Sequence, residues 1–364
     1  MSKRLVIFCD GTWNTPDQES DGRPSPTNVT KLALAVAPTG SDGTEQRVFY
    51  HRGVGTSRWE RLRGGAFGFG LSRNVKDAYR SIVENYEPGD ELFLFGFSRG
   101  AFTARSTAGF VRNAGVLRPE HADRVEEAYA LYRDRKTHPR QTESQLFRRS
   151  FSYETRIRFI GVWDTVGALG IPLSGLRWAN TFNRRWQFHD TTLSTSVDAA
   201  FQALAIDEKR RPFAPTLWRR QPEAGGQELQ QVWFAGVHCD VGGGYVETGL
   251  SDIALLWMAD KAGGYGLTLR PDAFPENAAH GEEGRILVNP DPMGPLHESR
   301  KAFYRLQKPY VRPIGASNAD ERVSSTAVER HDADPRYRPP GLVAYLANDP
   351  VIEDVPAADT TQPA

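Results

Sequence analysis

The chain has 364 residues, of which 39% are hydrophobic, and its 45 lysines and arginines balance 45 aspartates and glutamates. Neutrality gives no support to a nucleic-acid partner, which selects a basic surface, and two cysteines, Cys9 and Cys239, make no disulfide framework and read as buried thiols. No apolar run reaches the length of a membrane span, and Leu5–Phe8 is too short for a signal peptide, so the chain is expected to be soluble and made in the cytoplasm.

In chain order, short apolar runs each lead into a loop rich in Gly, Asp or Asn. Leu5–Phe8 leads into Asp10-Gly11-Thr12-Trp13-Asn14, and Val48–Tyr50 into Arg52-Gly53-Val54-Gly55. Leu92–Phe95 runs into Gly96-Phe97-Ser98-Arg99-Gly100, Ile157–Trp163 into Asp164-Thr165-Val166-Gly167, and Val232–Val237 into His238-Cys239-Asp240 and three glycines. Between them the pattern predicts helices over Asn28–Val36, Val75–Tyr86, Phe102–Asn113, Ala122–Arg135, Ser194–Ile206 and Ser251–Lys261. The runs mostly do not alternate apolar with polar, as befits strands buried on both faces. Strand–helix alternation implies a mostly parallel sheet flanked by helices, with ligands bound at the carboxyl ends of its strands.

Two segments break the rhythm. Residues 168–190 read as a lid-like insertion, with Trp178, Phe182 and Trp186 near helical spacing beside Arg177, Arg184 and Arg185. These aromatics either contact substrate or pack on the sheet. From about Asp272 the chain is rich in Pro, Asp and Gly, is expected to wrap the sheet, and ends in a poorly ordered tail over 350–364. Without a repeat or a linker, one domain is expected over 1–364, with its core over about 4–315.

The chemistry centres on Gly-x-Ser-x-Gly at residues 96–100. A buried strand ending in this sequence just before a helix is the context of a nucleophilic serine, and a plain Gly/Ser turn is the alternative. Serine needs a base, and the base needs an acid to orient it. His238 follows a strand directly and is preferred as base over His297. Asp164 ends a strand and is preferred as acid over Asp240, which sits too close to His238 in sequence to bond its ring easily. Donors for an oxyanion are expected from the backbone N–H of Arg99 and from Gly11 and Thr12 in the loop after the first strand, with Asp10 holding that loop. Gly65–Gly70 does not follow a strand and reads as a tightly packed loop rather than a dinucleotide site. No Gly-Lys-Ser/Thr phosphate loop is present, and His238 with Asp240 makes two metal ligands without a third, so no cofactor or metal is expected.

Together, Phe8–Asn14, Gly96–Ala101, Val162–Gly167, Ala205–Phe213 and Gly236–Tyr245 resemble the catalytic domain of the type VI secretion phospholipase effector family, a branch of the α/β-hydrolases. The resemblance implies an α/β-hydrolase-like fold, with the family's serine, aspartate and histidine on Ser98, Asp164 and His238. It also implies hydrolysis of phospholipid acyl esters, peripheral membrane contact, export by a type VI secretion system, and a secretion-apparatus or immunity partner. An esterase or thioesterase for a small soluble substrate, and a binding module without catalysis, are the alternatives.

Overall fold

The computed structural model describes residues 2–11, 14–20, 22–53, 67–134, 137–167, 192–274, 286–300, 302–316 and 320–355. One sheet is built from β1 (Lys3–Cys9), β2 (Glu45–His51), β3 (Glu91–Phe97), β4 (Ile157–Trp163), β5 (Val197–Ala205), β6 (Glu228–Phe234), β7 (Glu321–Ser324) and β8 (Ile352–Glu353). Their order is β8-β7-β6-β5-β4-β3-β1-β2, and every pairing is parallel. All strand carboxyl ends therefore open on one edge. The chain leaves β1 toward β2 and returns on its other side as β3, so the crevice between the ends of β1 and β3 is where such a sheet binds ligands.

The strands are apolar throughout because both faces are covered. Along β1, Val6 and Phe8 enter one core, while Leu5, Ile7 and Cys9 enter the other, as the two-residue alternation of a strand requires. The first core is closed by α1 (Asn28–Ala35), α7 (Gly249–Gly264), α8 (Ser325–Ala333) and α9 (Pro340–Leu346). The second is closed by α2 (Phe67–Asn85), α3 (Arg99–Ala114), α4 (Val125–Arg133) and α5 (Thr142–Phe151). A short helix, α6 (His238–Gly242), lies just past β6 at the carboxyl edge. Asn28 on α1 fixes it there, donating from Nδ2 to Val241 O and Ser251 O, each at 2.9 Å. Lys31 and Asp252 join α1 to α7 through a buried 2.6 Å ion pair.

The structure differs from the sequence expectations in four places. Ser194–Ile206, expected as a helix, contains strand β5. Val197, Ala200, Phe201 and Leu204 have helical spacing, but the segment sits between β4 and β6 with nearly every side chain buried, and that burial outweighs the helix preference of its alanines. Gly68 and Gly70 belong to the first turn of α2 rather than to a loop. The stretch after Asp272 adds two strands and two helices instead of merely wrapping the sheet. Within the expected tail, β8 pairs with β7 and Val355 is buried; residues 356–364 lie outside the described ones. The lid-like segment with Trp178, Phe182 and Trp186 also lies outside the described residues. Among the described residues no helix is long and apolar enough to cross a membrane.

Candidate active site

Strand β3 ends at Phe97 and α3 begins at Arg99, which leaves one residue, Ser98, to make the turn. Its backbone is forced to φ 59° and ψ −119°, a region that non-glycine residues occupy only where the surroundings over-determine them. The two glycines of the motif allow that sharpness. A Cβ on Gly96 would stand 2.5 Å from the carbonyl oxygen of Gly100, and one on Gly100 would stand 2.0 Å from that of Cys9. The α3 N-terminus is thereby pressed against the ends of β1 and β3, with the Arg99 N–H in its first turn beside the serine.

Ser98 Oγ lies 2.8 Å from His238 Nε2, and His238 Nδ1 lies 2.5 Å from Asp164 Oδ2. A carboxylate only accepts hydrogen bonds, so Nδ1 carries the ring proton and Nε2 turns a lone pair to the serine hydroxyl. The imidazole is held between the Phe97 ring, 4.6 Å away, and the Phe213 ring, 5.1 Å away and edge-on. Both His238 and Asp164 are buried. The three side chains come from the ends of β3, β4 and β6, all on the carboxyl edge. His238 opens α6 rather than sitting in an extended loop. Gly242 lets that helix approach, because a Cβ there would overlap the Phe97 ring.

Electrostatics divide the acid from the base. Burial works to raise the Asp164 carboxyl, but the charge of Arg312, the hydrogen bond and charge of His238, and the Arg312 hydrogen bonds hold it well below the ordinary range. For His238 burial is the largest influence and lowers the imidazole, against the pull of Asp164 and Glu208. A neutral imidazole at neutral pH is the form that accepts a proton. An activity that used His238 as its base is expected to rise with pH through the imidazole's titration and to be lost in acid. A pH profile of kcat/KM is expected to show an acid limb centred below the ordinary imidazole value of 6.5; a midpoint above that value would contradict the burial argument.

His297 and Asp240, the rival base and acid, are brought to each other instead. His297 Nδ1 meets Asp240 Oδ1 at 2.6 Å, and its ring stacks on Tyr245. Asp240 also accepts the N–H of Val237 at 2.9 Å, which steadies the start of α6. Asp10 holds its loop as expected, accepting Tyr50 Oη at 2.5 Å, Thr27 Oγ1 at 2.7 Å and Thr30 Oγ1 at 3.1 Å. It also accepts the Gly11 N–H at 2.6 Å. That donor is thus committed to its neighbour, and Gly11 serves packing instead, since a Cβ there would stand 2.6 Å from Asn14 Nδ2 and 3.3 Å from the Phe97 ring. Thr12 lies outside the described residues. Burial pushes the Cys239 thiol up to about 12 and raises Cys9 further, so neither is a thiolate near neutral pH.

Two buried charged residues at the site were given no role from the sequence. Glu208, after β5 and within the Ala205–Phe213 segment that carries the resemblance, accepts the His238 N–H at 3.4 Å and pairs with Arg210 at 2.9 Å. Arg312 grips Asp164 from a Pro-rich stretch without periodicity. Among the described residues no group of three or more His, Cys, Asp or Glu side chains is arranged to hold a metal ion.

The sequence is 29% identical over 244 residues to an uncharacterized protein of Saccharomyces cerevisiae, a match covering 60% of this chain and 33% of that protein. Among solved structures, an uncharacterized protein from Pseudomonas aeruginosa aligns with 74% of this chain and 46% of its own, at 19% identity and a TM-score of 0.45. The Tle1 effector bound to the VgrG spike of the type VI secretion system aligns with 68% of this chain and 52% of its own, at 21% identity and a TM-score of 0.38. This chain thus spans about a third of the curated relative and about half of each solved chain. Residues 3–261, which carry β1 through most of α7 and the Ser98, Asp164 and His238 loops, match the catalytic domain of the type VI secretion system Tle1-like phospholipase effectors, and the chain belongs to that family.

Proposed function

We propose that the chain is a serine hydrolase that cleaves carboxylic esters, with phospholipid acyl esters as its substrates. One observation carries this reading: the continuous hydrogen-bond relay from Ser98 Oγ through the His238 ring to Asp164, set at the switch point of a parallel sheet. As an acyl carbon approaches, Ser98 Oγ bonds to it and passes its proton to His238 Nε2. Asp164 steadies the imidazolium across the Nδ1–H bond. The carbonyl oxygen takes up the negative charge, and the backbone N–H groups of Arg99 and Thr12 are assigned to it, the first aided by the N-terminal dipole of α3. Collapse of this intermediate expels the alcohol, which takes the proton from His238. Water, activated by the same histidine, then releases the acid from the acyl-serine.

Family membership favours a phospholipid as the ester. The Tle1 effector has been seen on the VgrG spike, and delivery of this chain by a type VI apparatus, with an immunity partner in the producing cell, is part of the same proposal. The whole is read as one hydrolase domain over 1–364. Trp178, Phe182 and Trp186 are assigned to lipid contact on their sequence spacing alone.

A substrate panel tests the reading: p-nitrophenyl esters of short and long acyl chains, and phospholipid vesicles, each beside Ser98→Ala. Hydrolysis is expected to rise with acyl length and to jump above the concentration at which substrate forms an interface. Preference for short soluble esters without such a jump would move the assignment to a small-ester or thioester hydrolase. No hydrolysis of any ester would leave a binding module.

A further inference from the structure

We propose that Arg312 is a positioning residue for catalysis: its guanidinium fork holds Asp164 ionised and aimed at His238, so that the acid–base pair is completed by a segment outside the family-matched residues. This rests on the Ser98–His238–Asp164 reading above.

The Arg312 side chain is fully buried. Its Nη1 donates to Asp164 Oδ1 at 2.6 Å and to Ala205 O at 2.7 Å; its Nη2 donates to Asp164 Oδ2 at 3.0 Å and to Phe213 O at 2.6 Å. One planar group thus joins the end of β4, the end of β5 and the turn whose Phe213 ring packs on His238. Such a two-pronged contact fixes direction as well as charge, which a lysine ammonium would not. With the Ala205 N–H at 3.1 Å and His238 Nδ1, each Asp164 oxygen has two donors. The carboxylate cannot rotate without breaking several bonds.

Without the cation, Asp164 would be a buried carboxylate with one backbone donor and one imidazole. Burial then acts on the carboxylate with less to oppose it, so its proton affinity rises and its hold on the Nδ1–H bond loses direction. The charged neighbours here are Arg312, His238, Glu208 and Arg210, and of these only Arg312 makes an ion pair with Asp164 besides His238.

Arg312 does not act from an isolated position. Ser299 Oγ donates to Glu208 Oε1 at 2.9 Å, His297 bonds Asp240, and Tyr310 N donates to Lys209 O at 2.9 Å. His297, Ser299, Tyr310 and Arg312 therefore bind the loops after β4, β5 and β6 together, although the family match ends at residue 261.

The test uses the full chain carrying Arg312→Met, Arg312→Lys, Asp164→Ala and the charge-balanced pair Asp164→Ala with Arg312→Met. Folded protein is quantified by circular dichroism and the urea unfolding midpoint before rates are compared. Arg312→Met is expected to lower kcat about a hundredfold, less than the roughly 10⁴-fold that loss of a triad aspartate costs, with KM changed less than about twofold. Both Asp164 and His238 titrate higher without the cation, so the acid limb of kcat/KM moves to higher pH and the deficit narrows as pH rises. Arg312→Lys restores part of the rate, and the double variant is no slower than Asp164→Ala alone. An unmoved acid limb in Arg312→Met, an Arg312→Lys no faster than Arg312→Met, or losses that multiply in the double variant would overturn the assignment. Should Arg312→Met not fold, the kcat of Arg312→Lys, expected between wild type and Asp164→Ala, and the double variant decide. Ser98→Ala separates the two readings: if it is inactive while the Arg312 variants keep the wild-type profile, only the Arg312 assignment falls. A fully active Ser98→Ala removes the triad and Arg312 together.

Discussion

Ser98→Ala is expected to lower kcat on any ester by roughly a million-fold, with KM and the unfolding midpoint little changed. The substitution removes one oxygen whose hydrogen bond runs to His238 Nε2, and it leaves untouched the glycines that let strand and helix meet. Alanine also accepts the φ of 59° no worse than serine does, so the turn keeps its shape. His238→Ala is expected to cost nearly as much, and the pair little more than either alone, because base and nucleophile act as one unit. Steady-state kinetics on a p-nitrophenyl ester, with protein quantified by absorbance and its fold checked by circular dichroism, checks both. Retention of even a tenth of the wild-type rate in Ser98→Ala would rule out an acyl-serine.

Gly100→Ala is the second large effect, and it acts through stability. The added Cβ would lie 2.0 Å from Cys9 O, 2.5 Å from Asp10 O and 2.6 Å from Asp10 C. These are backbone atoms at the end of β1, which is hydrogen-bonded to β2 on one side and β3 on the other, so no side chain can swing aside. Overpacking against side chains costs about 1–3 kcal/mol; against a fixed backbone we expect about 3–5 kcal/mol, the range of the most damaging single substitutions. Any folded remainder must move α3 away from the sheet, carrying Ser98 out of reach of His238, so activity per folded molecule falls as well. Gly263→Ala near the end of α7 is the control: a Cβ there meets nothing within 4 Å, and the expected change is neutral to about 1 kcal/mol stabilising. Urea unfolding of the two variants beside wild type reads the difference; equal midpoints would remove the close-approach account of the second motif glycine.

Much of the site was legible because each of its parts is a local signal. Ser98, Asp164 and His238 each follow an apolar run, and in a parallel sheet every such run ends on the same edge. Knowing that each residue ends a strand is then nearly enough to bring them together. The glycines were legible for a similar reason, since a strand turning into a helix within one residue leaves no room for Cβ atoms.

What could not be read locally depends on neighbours far apart in the chain. The alanines of β5 favour a helix by themselves, and only a place between β4 and β6 makes the strand better. His297 and Asp240 each suited a triad until the fold paired them with each other. The Gly11 N–H looked available until Asp10 claimed it. Arg312 carries no signal among prolines, because what lets its guanidinium be buried is a carboxylate and two carbonyls that lie far away in the chain. The chain by itself thus determined which residues stand at strand ends, and with them the nucleophile, base and acid assigned here. Folding alone decided what surrounds them, since desolvation and charge pairing depend on everything packed within a few ångströms, whatever its distance along the sequence.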